Sequence, residues 1–272
     1  MYQNRMKRML AEGEVPLGAY FGSDSPVFAE ILAQTGVDHV ILETEHGPLS
    51  PMGYAPLSHL CKLFLSYDVT PLVRVPHRDP VYIGKALDAG AMGVVVPHVR
   101  TKEDAVRMVK ATLFPPEGFR GCGPLAAANR YVGAYGPYIA NSNKEIVAIA
   151  LIEDQEGIDN FEEIAEVDGL CFVTVGHLDL ALSMGYGSDS PDGGMSHPEV
   201  VKAREKVYDI CRAKGVPINI SGYRPETVRR SLAEGMKVVM GVGTDVNTFH
   251  QAFTTKINDV RASIQEAKGS GA

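Results

Sequence analysis

Residues 71–99 read PLVRVPHRDPVYIGKALDAGAMGVVVPHV. Two short apolar, β-branched runs, Pro71 to Val75 and Gly93 to Pro97, flank a segment that Asp79-Pro80 opens and Gly90 closes. Aspartate followed by proline starts a helix, because the carboxylate can cap free N–H groups and proline needs none. Glycine after the last apolar position stops it. Two largely apolar strands joined by a helix of this length form one β–α–β unit, the building block of a parallel sheet.

Working outward, the same rhythm recurs. Further apolar runs lie at about Pro16 to Tyr20, His39 to Leu42, Ile146 to Ile152, Leu170 to Val175, Val216 to Ile220 and Lys237 to Met240, making eight strands. Ser25-Pro26 opens a helix that closes at Gly36, and His197-Pro198 opens one that closes at Gly215. In the latter, Val200, Ala203, Val207, Ile210 and Cys211 form one buried stripe, with Lys202, Glu205, Lys206 and Asp209 left for water. Eight units predict a closed (β/α)8 barrel, an α/β fold of one domain over residues 1–272, because closure leaves no sheet edge. No GxGxxG follows the first strand, which argues against a dinucleotide-binding sheet. Residues 115–143, rich in Gly, Pro and small residues, are expected as a long loop that covers the mouth or meets a neighbouring subunit. Residues 246–266 are expected as a long terminal helix.

Composition sets further bounds. With 272 residues, 45% of them hydrophobic and 22% charged, the chain can bury a large core. A formal net charge of −7 with Lys and Arg dispersed argues against nucleic acid as a partner. Cys61, Cys122, Cys171 and Cys211 show neither CxxC nor zinc spacing, which fits a reducing cytoplasm. No apolar run has the length of a secretory signal or a membrane span, so a cytoplasmic, non-membrane protein is expected.

Barrel enzymes carry their chemistry at the C-terminal ends of strands. There this sequence has the Glu43-Thr44-Glu45-His46-Gly47 run, Arg74, Glu153 and Asp179. Glu153 and Asp179, at two neighbouring strand ends, can hold one divalent ion, Mg²⁺ first and Mn²⁺ or Co²⁺ next; ordinary loop acids are the other reading. His46 is either a proton carrier or an imidazole satisfied by a backbone carbonyl. Arg74 suits a developing oxyanion, or else an ion pair with Glu43 or Glu45. Asp88 alone reads as a surface or capping acid. None of the twelve lysines falls at the C-terminal end of a strand, so a Schiff-base aldolase is excluded and carbanion chemistry would depend on metal.

The segments ETEHG (43–47), PLVRVP (71–76), ALDAGAMGVVVPHV (86–99), FPPEGFRGCG (114–123), IEDQEGIDN (152–160), GHLDLALSMG (176–185) and HPEV (197–200) together resemble the HpcH/HpaI aldolase family of metal-dependent pyruvate aldolases. The resemblance implies reversible cleavage of a 4-hydroxy-2-oxo acid to pyruvate and an aldehyde. It implies His46 as base, Asp88 as the acid that supports it, Arg74 as enolate stabiliser, and Glu153 and Asp179 as metal ligands. Backbone N–H groups of Gly176, His177 and Leu178 would bind the carboxylate of the 2-oxo acid. It further implies a homo-oligomer, a hexamer built from dimers that exchange the terminal helix. This chain departs from the family pattern at Leu151, where Gln is usual, at His177-Leu178, where Pro-Ala or Pro-Ser is usual, and at Glu43, where Asp is common. Loss of the Gln amide changes the keto-acid pocket, and His177 is a candidate to restore its polarity. Decarboxylation of a 2-oxo acid, another enolpyruvate lyase reaction, and a catalytically inactive metal-binding subunit are the alternatives.

Overall fold

The computed structural model describes residues 3–49, 53–123, 126–131, 133–188, 190–220, 222 and 224–269. The quoted unit folds as its punctuation demands. β3 (Thr70–Arg74) and β4 (Gly93–Val96) are parallel neighbours joined by α4 (Pro80–Ala89). The Asp79 carboxylate accepts from the Val81 N–H at 2.8 Å, and Gly90, at φ 113°, ends the helix in the left-handed conformation that glycine tolerates best.

β1 (Gly18–Phe21), β2 (His39–Glu43), β3, β4, β5 (Val147–Ile152) and β6 (Leu170–Val175) form one six-stranded parallel sheet in sequence order. β7 (Asn219–Ile220) and β8 (Val238–Val239) pair separately. Single parallel bridges, Val173 to Ile218 and Leu17 to Val239, link the small sheet to each edge of the large one. The last two strands are thus much shorter than the apolar runs suggested.

The helices are α1 (Arg5–Ala11), α2 (Pro26–Ala33), α3 (Tyr54–Ser66), α4, α5 (Lys102–Thr112), α6 (Tyr135–Glu145), α7 (Gln155–Asp159), α8 (Phe161–Ile164), α9 (His177–Ser183), α10 (Pro198–Lys214), α11 (Pro225–Ala233) and α12 (Asp245–Gly269). None of them is long and apolar enough to cross a membrane, among the described residues. Part of the expected 115–143 loop is helix α6, whose sequence YGPYIANSNKE hides the period behind Gly, Pro and Asn. Residues 124, 125 and 132 of that stretch lie outside the described residues.

Strand alternation sorts the side chains into two cores. Ile41, Leu72, Val95, Ile149, Leu151 and Phe172 fill the inner face, while Val40, Leu42, Val73, Val94, Ala150 and Val173 pack under the helices. Helix α1 closes the N-terminal end of the inner core: Met6 is buried there, its N–H bonds Thr70 Oγ1 at 3.1 Å, and Asn4 Nδ2 donates to the carbonyls of Met92 and Glu145. Continuing the same alternation toward the C-terminal ends places Glu43, Arg74 and Glu153 on the inner side.

Candidate metal centre

At the C-terminal end of β2 the chain turns sharply. The Glu43 carboxylate accepts from the N–H groups of Glu45 (2.7 Å) and His46 (3.0 Å), holding the ETEHG run in a tight turn. Glu43 is the register partner of Arg74 on β3, and Arg74 grips its Oε2 through Nε and Nη2, both at 2.5 Å. Arg74 Nε also lies 3.3 Å from Glu45 Oε2, so the ion pair with Glu43 or Glu45 that the sequence allowed is formed with both. Burial alone would lower the Arg74 pKa, but the Glu43 carboxylate outweighs it and the guanidinium stays charged. The Tyr20 ring lies beneath, 5.9 Å from the guanidinium carbon, its hydroxyl pushed up to about 12 chiefly by burial.

His46 follows directly. Its ring is 63% exposed, open to a solute, and its Nε2 stands 3.6 Å from Glu45 Oε2. Glu45 itself is raised above the usual carboxylate range by burial, with Arg74 and His46 pulling the other way. Its Oε2 is buried and makes no hydrogen bond.

β5 ends at Glu153, which is buried. Its Oε1 accepts the His98 N–H at 3.0 Å, and its carboxyl is pushed up to about 7, first by burial, with Glu45 and Asp179 adding repulsion. Asp179 stands in the first turn of α9, close enough for that repulsion. Between them Gly176 is a steric requirement: a Cβ there would lie 2.5 Å from Glu153 Oε2. One donor atom each from Glu45, His98 and Glu153 lie within 4.8 Å of one another, a group that can hold a metal ion.

The other sequence candidates fall at varying remove. His177 Nε2 meets the Tyr208 hydroxyl of α10 at 3.4 Å, and burial pushes its ring down to about 4, with Arg204 adding to the effect. Leu178 is exposed; with His177, Tyr20, Thr174 and Met240 it lines a cavity of about 250 Å³ at the same end of the strands. Asp88 sits on α4, where its carboxylate accepts from Arg120 at 3.1 Å; among the described residues it makes no contact with His46.

His98, Asp154 and Arg100 are the participants that sequence reasoning overlooked. His98 ends VVVPH just after β4, as Glu153 follows β5, so the same rule of polar residues at strand ends applies to it.

Acids, an imidazole and a guanidinium gathered at the C-terminal ends of a parallel α/β sheet define a carboxylate centre of enzymatic type. The chain belongs to the HpcH/HpaI aldolase/citrate lyase family, which matches residues 17–252. It is 36% identical over 259 residues to the 5-keto-4-deoxy-D-glucarate aldolase of Shigella dysenteriae serotype 1 (strain Sd197), covering 95% of this chain and 97% of that protein. Among solved structures it is similar to an HpcH/HpaI aldolase/citrate lyase family protein from Burkholderia cenocepacia J2315, with TM-score 0.84, 28% identity, and 95% and 100% of the two chains covered. Citrate synthase SbnG matches at TM-score 0.83 and 26% identity, covering 97% of this chain and 100% of that one.

Proposed function

We propose that this chain is a divalent-metal-dependent carbon–carbon lyase that reversibly cleaves a 4-hydroxy-2-oxo acid to pyruvate and an aldehyde. The observation that carries it is the convergence of Glu45, His98 and Glu153 near Arg74, with Asp179 close enough to repel the Glu153 carboxylate. Burial pushes the Glu153 carboxyl up to about 7, and Glu45 has a buried oxygen without a hydrogen bond. Such a crowd of desolvated acids is costly unless a cation joins it, so the residues fit a metal. Carboxylate oxygens suit Mg²⁺, with Mn²⁺ or Co²⁺ next. Glu153 and Asp179 would be its protein ligands, as the family resemblance implies. When bound, the ion supplies Lewis-acid polarisation of the 2-oxo carbonyl.

The chain's own residues account for the remainder. Backbone N–H groups of His177 and Leu178 would hold the substrate carboxylate, as the resemblance implies; the Gly176 N–H is taken by the Ile152 carbonyl at 3.0 Å. His46 Nε2 takes the proton from the 4-hydroxyl group, assisted by the neighbouring Glu45 carboxylate. The C3–C4 bond breaks, its electron pair passes toward the 2-oxo oxygen, and an aldehyde departs. Arg74, rigidly held by Glu43, stabilises the oxygen charge that develops. The proton that His46 took would then be delivered to C3, giving pyruvate and the neutral imidazole. Asp88 supports His46 only where another subunit brings it there, since within one chain it pairs with Arg120.

We infer that β7 and β8 complete an eight-strand barrel, supported by the two bridges and by hydrogen bonds from Val173 N to Pro217 O and from Val239 N to Pro16 O. A homo-oligomer, by resemblance a hexamer of helix-exchanged dimers, is supported by α12. Its side chains from Val246 to Lys268 are all exposed, including Phe249, Phe253, Ile257, Val260 and Ile264. Light scattering of the purified protein tests that assembly.

The lyase reading is tested by following pyruvate release from a panel of 4-hydroxy-2-oxo acids, with oxaloacetate alongside. Release is expected to stop with chelator and return with Mg²⁺ or Mn²⁺. Full turnover in chelator overturns the metal requirement, and activity on oxaloacetate alone makes the protein a decarboxylase.

A further inference from the structure

We propose that His98 is a nitrogen donor to the divalent ion, fixed in orientation by Asp154 and Arg100, and that it biases the centre toward ions that accept imidazole, Mn²⁺ and Co²⁺, over Mg²⁺. The inference rests on the reading that the Glu45–Glu153–Asp179 cluster holds such an ion.

Three features of His98 carry it. Its backbone is left-handed, φ 53°, an uncommon conformation for a residue with a side chain, and its N–H is spent on Glu153 Oε1 at 3.0 Å. The loop after β4 is thereby tied to the buried acid. Its Nδ1 lies 2.9 Å from Asp154 Oδ2. Arg100 clamps that same carboxylate with two bonds, Nε to Oδ2 at 2.9 Å and Nη2 to Oδ1 at 3.0 Å. An ionised Asp154 can only accept, so Nδ1 carries a proton, and in the neutral imidazole that a metal binds the lone pair is then on Nε2. Nε2 makes no hydrogen bond among the described residues. A carboxylate that fixes the tautomer of an imidazole is the usual outer support of a metal-bound histidine.

The neighbourhood gives the nitrogen a purpose. Leu151, two residues before Glu153 on the inner face of β5, contributes no polar atom, so that strand offers the ion nothing but Glu153. One nitrogen of His98 and one oxygen each of Glu45 and Glu153 already lie within 4.8 Å of one another, and Nδ1 stands 3.5 Å from Glu153 Oε1, so the ring is beside the acids and a turn about its side chain brings Nε2 to them. An imidazole in an otherwise oxygen-only set lowers the advantage of Mg²⁺, which prefers oxygen and water, and favours Mn²⁺ and Co²⁺.

The test titrates the metal-free full-length protein with Mg²⁺, Mn²⁺ and Co²⁺ by calorimetry, and records the ¹⁴N coupling of bound Mn²⁺ by pulsed electron paramagnetic resonance. Wild type is expected to show the nitrogen coupling. His98→Asn, chosen because Asn tolerates the left-handed backbone, is expected to abolish it, to weaken Mn²⁺ and Co²⁺ binding by about tenfold or more and to change Mg²⁺ binding by under about threefold. Asp154→Asn is expected to shift the three affinities in the same direction by a smaller factor. Coupling that survives in His98→Asn and disappears in His46→Asn overturns the assignment, as does an equal loss of all three ions. Should His98→Asn not fold, absence of nitrogen coupling in wild type overturns it. Metal binding with nitrogen coupling but no pyruvate release refutes the lyase reading and leaves His98 as a ligand; no divalent binding by wild type refutes both.

Discussion

At the N-terminal ends of the strands most polar groups are matched within the chain: Asn4 donates to two carbonyls and accepts the Lys7 N–H, Thr70 accepts from Met6, and Arg5 pairs with Asp38, leaving the buried His39 ring as the exception. At the C-terminal ends the same inner-face positions carry Glu43, Arg74 and Glu153, with Glu45 and His98 from the loops and Asp179 from the first turn of α9. One end satisfies most of its buried groups internally, each bond adding about 1 kcal/mol. The other gathers more acid than Arg74 neutralises, and burial, with repulsion among the acids adding to it, raises Glu153 and Glu45. The difference separates a rim built for stability from one that holds charge in reserve for a ligand.

The sharpest way to break this contrast is at Glu153. Glu153→Gln is expected to lower kcat/KM for pyruvate release by about a thousandfold or more, on the order of 4 kcal/mol of transition-state stabilisation. Yet the metal-free variant should melt at or above wild type. Glu153 is raised in the folded state, so its ionised form opposes folding above the ordinary carboxylate range, and the amide removes that penalty. A variant that loses activity and stability together would show that the acid is a structural strut. Arg74→Met comes next. It should cost about a hundredfold to a thousandfold in kcat/KM. It should also lower the melting temperature, because Glu43 and Glu45 lose the cation that both share. Unchanged kinetics would remove Arg74 from the chemistry.

The opposite rim should behave in reverse. Met6→Ala opens a hole in the inner core, and is expected to cost about 2–4 kcal/mol of unfolding free energy with kcat unaltered in the protein that remains folded. Denaturant titration and steady-state kinetics on the same sample check it.

How far the two rims were readable follows from their physics. Strands β2 to β6 are buried on both faces and so appear as unbroken apolar runs, and their last residues pointed directly to Glu43, Arg74 and Glu153. β7 and β8 keep only two paired residues each, and no local pattern encodes a ladder that short. α1 closes the inner core with one buried side chain, Met6, in a segment otherwise rich in charge, so its role was invisible. His98 was overlooked because its importance comes from where β5 brings Glu153 and Asp154, a contact across 55 residues. The Arg120–Asp88 pair likewise spans α4 and the stretch after α5, which is why Asp88 alone gave only a surface acid.

The smallest expected effect lies in the N-terminal rim and depends on pH. His39, first residue of β2, is fully buried against Gly18, where an added Cβ would lie 2.1 Å from its ring. Neither ring nitrogen makes a well-formed hydrogen bond, and the backbone of Met240 favours the charged form only weakly; burial holds the pKa down to about 4. The unfolded chain binds this proton near 6.5, the folded one near 4, so the unfolded state takes up more protons in between and stability falls as pH drops through that window. The loss is negligible a unit or more above 6.5 and amounts to about 2 kcal/mol by pH 5. His39→Gln removes the titration. Denaturation midpoints of wild type and variant at pH 7.5 and pH 5 should therefore differ in their pH dependence by about that amount, the variant losing less. Equal losses would mean that His39 finds a partner when charged, and that the N-terminal rim, like the opposite one, can hold a buried charge.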